Sequence, residues 1–212
     1  RWPYYLPAGG GKNIPPPLKG SREKLRMIRE CIILAGGLGT RLRETLPDLP
    51  KCMAPVAGRP FLFHVINYLC SQGIGKFIFS LGYKHELIES YLREQFTALD
   101  YQCSNEEEPL GTGGAILLAC SKAITENIVV VNGDTLFKAE LHEAAMFHNH
   151  NMAECTLLLK PMENFDRYGV VETNGDSLVS HFKEKQLYKA GNINAGLYLL
   201  NVPKFLDEEF PD

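Results

Sequence analysis

Apolar positions along the chain alternate between short unbroken runs and longer stretches where they recur every three or four residues. Cys31 to Ala35 and Asn127 to Val131 are runs of the first kind, the second rich in β-branched residues, and predict strands buried on both faces of a parallel sheet. Phe61, Leu62, Val65, Ile66 and Leu69 have helical spacing, which predicts a helix from Pro60 to Gln72, with Pro60 suited to a first turn and Gly73 and Gly75 ending it. Phe77-Ile78-Phe79 then reads as a strand, and Leu87, Ile88, Tyr91 and Leu92 share one face of a helix from Tyr83 to Phe96. The alternation continues with a short strand at Tyr101 to Ser104, a helix from the Gly111 region to Ala123, the 127–131 strand, a helix from Ala139 to His148 and a strand from Glu154 to Lys160. A hairpin follows, turning at Asn174-Gly175-Asp176. Strands alternating with helices predict an α/β fold with a mainly parallel sheet.

Residues 1–26 break this pattern. They carry five of the 13 prolines and four glycines without a period that would give a strand or helix an apolar face, so they read as an added tail or extension outside the core. The remaining residues, 27–212, suit one domain, and 45% hydrophobic residues are enough for a substantial core. Twenty-two basic against 25 acidic residues leave a net charge of -3, which offers no bulk attraction to nucleic acid or to an anionic membrane. Any phosphate binding must therefore be local. No run is long enough for a transmembrane helix, and the start of the chain has no signal-peptide core, so a cytoplasmic protein is expected. The six cysteines form no Cys-x-x-Cys pair or zinc-like cluster and read as reduced thiols. His142, His148 and His150 lack the spacing of a helical metal site and read as surface histidines.

The first apolar run ends in Gly36, Gly37 and Gly39, followed by Thr40, Arg41 and, after a spacer, Lys51. Bare backbone N–H groups beside two cations suit phosphate. The loop is neither a P-loop, since no Gly-Lys-Ser/Thr string closes it, nor a dinucleotide fingerprint, since Leu42 stands where the third glycine belongs. The 127–131 strand ends in Asn132-Gly133-Asp134, a carboxylate at the end of a central strand, where open α/β sheets place their ligands. Asp134 alone could be a turn-former, but with a phosphate loop on the same sheet edge it reads as a Mg²⁺ ligand, because that ion takes one or two carboxylates plus phosphate oxygens and water.

The string Gly36-Gly37-Leu38-Gly39-Thr40-Arg41-Leu42 with Pro50-Lys51 resembles the opening motif of the nucleotidyltransferases that join a nucleoside triphosphate to a sugar 1-phosphate. The resemblance continues through Glu108-Pro109-Leu110-Gly111-Thr112, Asn132-Gly133-Asp134 and Phe165 to Val170, and spans roughly residues 28–200. It implies the Rossmann-like three-layer α/β/α sandwich of that family, with a mixed, mainly parallel sheet. It also implies that Leu34, Ala35 and the glycine loop through Thr40 hold the triphosphate, that Arg41 and Lys51 neutralise it, and that Asp134 binds the metal. Glu106, Pro109, Gly111 and Thr112 would then lie against the base and ribose. Tyr168, Gly169, Glu184 and Lys185, with a turn at Asn194 and Gly196, would hold the sugar phosphate.

Within the family, the strings Ala54-Pro55-Val56, Leu81 to Glu86 and Asn164 to Gly169 look most like the guanylyltransferases of heptose 1-phosphate, with mannose 1-phosphate guanylyltransferases next. This implies GTP and a sugar 1-phosphate as partners, release of pyrophosphate, a precursor for a surface polysaccharide as product, and self-association of the kind common in the family. One departure counts against turnover. The family's second metal-binding Asp, on a strand after the sugar turn, has no counterpart in the polar stretch holding Asp207 and Asp212. A truncated chain, or a sugar-nucleotide-binding module without activity, is the alternative this leaves open.

Overall fold

The fold comes from a computed structural model that describes residues 4–7, 27–37 and 49–208. Eleven strands and five α-helices follow one another in these residues: β1 (Tyr4–Pro7), β2 (Glu30–Leu34), a 3-10 turn (Lys51–Met53), β3 (Pro55–Val56), β4 (Arg59–Pro60), α1 (Phe61–Ser71), β5 (Lys76–Leu81), α2 (His85–Gln95), β6 (Asp100–Asn105), α3 (Gly111–Cys120), β7 (Asn127–Asn132), α4 (Leu141–His150), β8 (Cys155–Phe165), β9 (Val171–Thr173), β10 (Val179–Phe182), β11 (Tyr188–Asn201) and α5 (Val202–Leu206). Seven strands make one sheet in the order β1-β8-β11-β7-β2-β5-β6. All neighbours run parallel except β11, which lies antiparallel between β8 and β7.

The two-residue period of a strand explains the layering. Cys31 and Ile33 of β2, Phe77 and Phe79 of β5, and Val129 and Val131 of β7 point to one face, where they pack with Leu62, Val65, Ile66 and Leu69 of α1 and with residues of α2 and α4. The intervening Ile32, Ile78, Ile128 and Val130 point to the other face, against Ala119 and Cys120 of α3 and Val202 at the start of α5. Burial on both faces is why these strands read as unbroken apolar runs. The result is the expected α/β/α sandwich with a mixed, mainly parallel sheet.

Three features differ from the sequence reading. Tyr4–Pro7, placed in a segment with no strand signal, pairs in parallel with β8 at the sheet edge, a contact made through backbone groups that leaves no side-chain pattern to read. His148 is buried rather than on the surface: its Nδ1 lies 2.8 Å from Thr156 Oγ1 and its Nε2 3.3 Å from Asn127 Oδ1, in a polar network between α4 and the sheet. The turn expected at Asn194 and Gly196 is an irregularity within the single 14-residue strand β11, whose pairing with β8 shifts register between Asn194 and Tyr198.

Glu30 is buried at the start of β2, and its carboxylate accepts hydrogen bonds from the Ile124 and Thr125 N–H groups and the Thr125 hydroxyl at 2.7–3.0 Å. This ties the loop after α3 to the opposite end of the strand from the glycine loop. No helix among the described residues is long and apolar enough to cross a membrane.

Candidate active site

Because β2, β5, β6 and β7 are parallel, the loops that follow them meet at one sheet edge. β2 delivers Ala35-Gly36-Gly37 between two neighbours. The Ala35 N–H donates to the Ser80 carbonyl, and the Gly133 N–H donates to the Leu34 carbonyl, both at 2.8 Å. A Cβ on Gly36 would stand 2.9 Å from Glu106 Oε1 and 3.1 Å from the Gly82 nitrogen, so a side chain there would push apart the loops following three strands. Leu34, Ala35, Gly36 and Gly37 thus lie at this sheet edge beside the ends of β5, β6 and β7. Gly39, Thr40 and Arg41 lie outside the described residues.

Lys51 reaches the same edge from the 3-10 turn. Its backbone is fixed by the Met53 N–H to Pro50 carbonyl bond (2.8 Å) and by the burial of Cys52 in the core below α1. Its side chain remains half-exposed and places Nζ 2.5 Å from Oδ2 of Asp134, two residues past the end of β7. Two residues 83 positions apart in sequence, expected to serve phosphate and metal, are therefore ion-paired. The other oxygen, Asp134 Oδ1, accepts from the Thr135 hydroxyl at 3.2 Å. Thr135 was passed over in the sequence because the Asn132–Thr135 string was read only for its carboxylate.

This donor set suits Mg²⁺ as a partial site. Asp134 is a partly exposed oxygen ligand, and a hard divalent ion takes its remaining positions from phosphate oxygens and water. No group of three or more His, Cys, Asp or Glu side chains among the described residues could hold a metal by itself. Asp207 does not supply the second carboxylate. It caps α5, which follows Asn201, and Asn201 pairs with Asn127 at the start of β7, the edge opposite Asp134.

On one flank of the pair, Glu106 follows β6, and its N–H donates to the Leu81 carbonyl at 2.8 Å. Its Oε2 accepts the Leu110 N–H at 3.2 Å and its Oε1 faces the Ser80 hydroxyl at 3.4 Å. The carboxylate is thereby held between the glycine loop and the N-terminus of α3, where Pro109, Gly111 and Thr112 are exposed.

On the other flank, β11 runs beside β7 with Leu197 opposite Val131, which brings Gly196 against Asn132. The Asn194 side chain bridges the irregularity, accepting the Gly196 N–H at 2.9 Å and donating to the Tyr198 hydroxyl at 2.9 Å. Asn132, which the sequence offered only as a neighbour of Asp134, is the residue joining this strand to the loop that carries Asp134.

Tyr168, Gly169, Glu184 and Lys185 are joined through contacts of their own. Gly169 packs against the Lys183 carbonyl, the Lys183 N–H donates to Val170 at 2.8 Å, and the Tyr188 hydroxyl donates to the Glu184 carbonyl at 2.9 Å. These contacts place Tyr168-Gly169 beside the Glu184-Lys185 segment, with Tyr168, Glu184 and Lys185 exposed and Gly169 partly buried. Among the described residues no ion pair connects Lys185 to Asp134.

None of the cysteines offers a nucleophile here. Burial pushes the thiol of Cys52, next to Lys51, up to about 12, with the negative charge of Asp134 a smaller contribution, so it stays protonated at neutral pH. All six cysteines are free.

Residues 30–209 match the family described as nucleotidyl transferase. The chain is 49% identical over 185 residues to a D-glycero-alpha-D-manno-heptose 1-phosphate guanylyltransferase of Aneurinibacillus thermoaerophilus, covering 85% of this chain and 80% of the relative. It is 35% identical over 188 residues to mannose-1-phosphate guanylyltransferase 1 of Arabidopsis thaliana, covering 84% of this chain and 51% of that one. The crystal structure of HddC from Yersinia pseudotuberculosis complexed with GMP-PN superposes with a TM-score of 0.75 at 33% identity, covering 86% of this chain and 81% of the other. With the fold, the glycine loop and the Lys51–Asp134 pair in the arrangement described, the chain belongs to the nucleotidyl transferase family.

Proposed function

We propose that the protein transfers the guanylyl group of GTP to a sugar 1-phosphate of the heptose or mannose type, releasing pyrophosphate. The observation that carries this reading is the Lys51–Asp134 pair, set at the same sheet edge as the glycine loop and flanked by Glu106 on one side and the Asn132–Gly196 contact on the other. The relatives' substrates supply the choice of GTP and sugar.

An oxygen of the sugar 1-phosphate attacks the α-phosphorus of GTP. The bond from that phosphorus to the bridging oxygen breaks, and pyrophosphate departs with the electron pair. Two multiply charged anions repel one another, so catalysis consists chiefly of orientation and charge neutralisation. Lys51 neutralises the α-phosphate, Arg41 the departing pyrophosphate, and Lys185 the sugar phosphate. The backbone from Leu34 to Thr40 cradles the triphosphate. Pro109, Gly111 and Thr112 bracket the ribose and base, and Glu106 takes the base edge. Tyr168, Gly169 and Glu184 hold the sugar beside Asn194 and Gly196. Asp134 would hold Mg²⁺, which supplies charge neutralisation on the phosphate oxygens.

We assign the transfer to residues 27–212, with residues 1–26 as an extension. The reading carries a cytoplasmic location, where GTP is available, a surface-polysaccharide precursor as product, and self-association of the protein. Mass detection of a GDP-sugar after incubation with GTP, Mg²⁺ and heptose or mannose 1-phosphate tests it. A GDP-heptose or GDP-mannose peak is expected, and recovery of unreacted GTP with both sugars would refute it.

A further inference from the structure

The pair that marks the site also sets a competition. Lys51 occupies Oδ2 of Asp134 at 2.5 Å, while Thr135 holds Oδ1, so both oxygens of the carboxylate that would bind the divalent ion already accept from donors. A cation binding at Oδ2 competes with Lys51, because an ammonium and a divalent ion at one oxygen repel each other. Lys51 is built to leave. Its main chain is pinned by the 3-10 turn and by buried Cys52, yet its side chain is 48% exposed and carries four rotatable carbons. Asp134, at 33% exposure, is partly open to solvent.

We propose that Lys51 is a placeholder cation. In the free protein it neutralises Asp134 and keeps an uncomplexed divalent ion off the carboxylate. When metal and triphosphate arrive together, the phosphates offer the ammonium a new anionic partner, and Lys51 moves from Asp134 to phosphate as the ion takes Oδ2. The metal then binds strongly only as its nucleotide complex, and empty sites are not charged with metal in advance. This rests on the transfer reading for the identity of the triphosphate, but its first consequence, exclusion of metal by Lys51, needs no turnover to be seen.

The test uses the full chain and Mn²⁺ alone, with no nucleotide, followed by electron paramagnetic resonance of the free ion. Wild type and Lys51→Arg bind Mn²⁺ weakly at Asp134. Lys51→Gln binds it about tenfold more tightly, the gain expected when an exposed ion pair and a nearby like charge are both removed. The double variant Lys51→Gln with Asp134→Asn loses that gain, which separates the site from stray surface carboxylates, and circular dichroism melts confirm that each variant is folded. Equal Mn²⁺ affinity in wild type and Lys51→Gln, or a gain that survives Asp134→Asn, overturns the proposal. A wild type that never releases pyrophosphate while the Mn²⁺ affinities follow this order would refute the transfer reading and leave the competition standing.

Discussion

Gly196 lies so close to Asn132 that a Cβ added to it would stand 2.5 Å from the Asn132 side-chain nitrogen, and its φ of +72° is one that side chains rarely adopt. The contact joins β11 to the end of β7 two residues before Asp134. Gly196→Ala therefore meets both backbone strain and a clash. The strain alone costs roughly 1–3 kcal/mol. In a chain of this size each kcal/mol lowers Tm by roughly 2–4 °C. Calorimetry should show that fall, and initial rates should show a raised KM for the sugar phosphate with a smaller change for GTP. Unchanged Tm and KM would remove the coupling between the two strands.

In the proposed function Glu106 takes the base edge. Guanine presents a ring N–H beside an exocyclic amine, two adjacent donors that one carboxylate can accept together. Glu106→Gln keeps an acceptor for the Leu110 N–H but loses that pairing. Loss of hydrogen bonding to a charged group is worth about 1.5–3 kcal/mol, so kcat/KM for GTP should fall roughly 10- to 150-fold with much less effect on other triphosphates. A uniform fall across all four would mean that Glu106 only supports the loop.

Asp134 is partly exposed, so Asp134→Ala should fold normally by circular dichroism while turnover with Mg²⁺ falls roughly 10²–10³-fold, the usual scale for a charge-stabilising group in catalysis. Near-normal turnover would remove Asp134 from the metal role.

His148 sets an acid limit on stability. Burial, with a smaller contribution from the positive charge of Lys204, lowers its pKa from 6.5 to about 4. The unfolded chain then binds a proton between those values that the folded one refuses. Stability therefore falls as pH drops from 6.5 toward 4 and is constant with respect to this group above that window. The whole effect is about 3 kcal/mol. Denaturant midpoints measured from pH 7.5 to 4.5 should show the decline in wild type, with a shallower slope in His148→Gln. Parallel slopes would mean that other groups set it.

The central strands and the helices over them were legible because burial on two faces leaves unbroken apolar runs and burial on one side of a helix leaves a three-to-four spacing. Cys31 to Ala35 and Phe61 to Leu69 carry those signals directly. Tyr4–Pro7 carried none, since an edge strand can be held by backbone groups alone. His148 was misread because its burial depends on Thr156 and Asn127, partners brought to it by tertiary folding. At the site, Lys51 and Asp134 were legible as residue types beside a glycine loop, and the resemblance to sugar nucleotidyltransferases gave them roles. Their direct pairing was not, because nothing in the chain between positions 51 and 134 encodes which strand ends become neighbours until the parallel order β7-β2-β5 is set.

The most direct measurement is pyrophosphate release over a grid of four nucleoside triphosphates against heptose, mannose and glucose 1-phosphates, each with and without Mg²⁺. Release is expected with GTP and heptose or mannose 1-phosphate in the presence of Mg²⁺. No release from any pair, in a protein that still binds nucleotide, would contradict the proposed transfer.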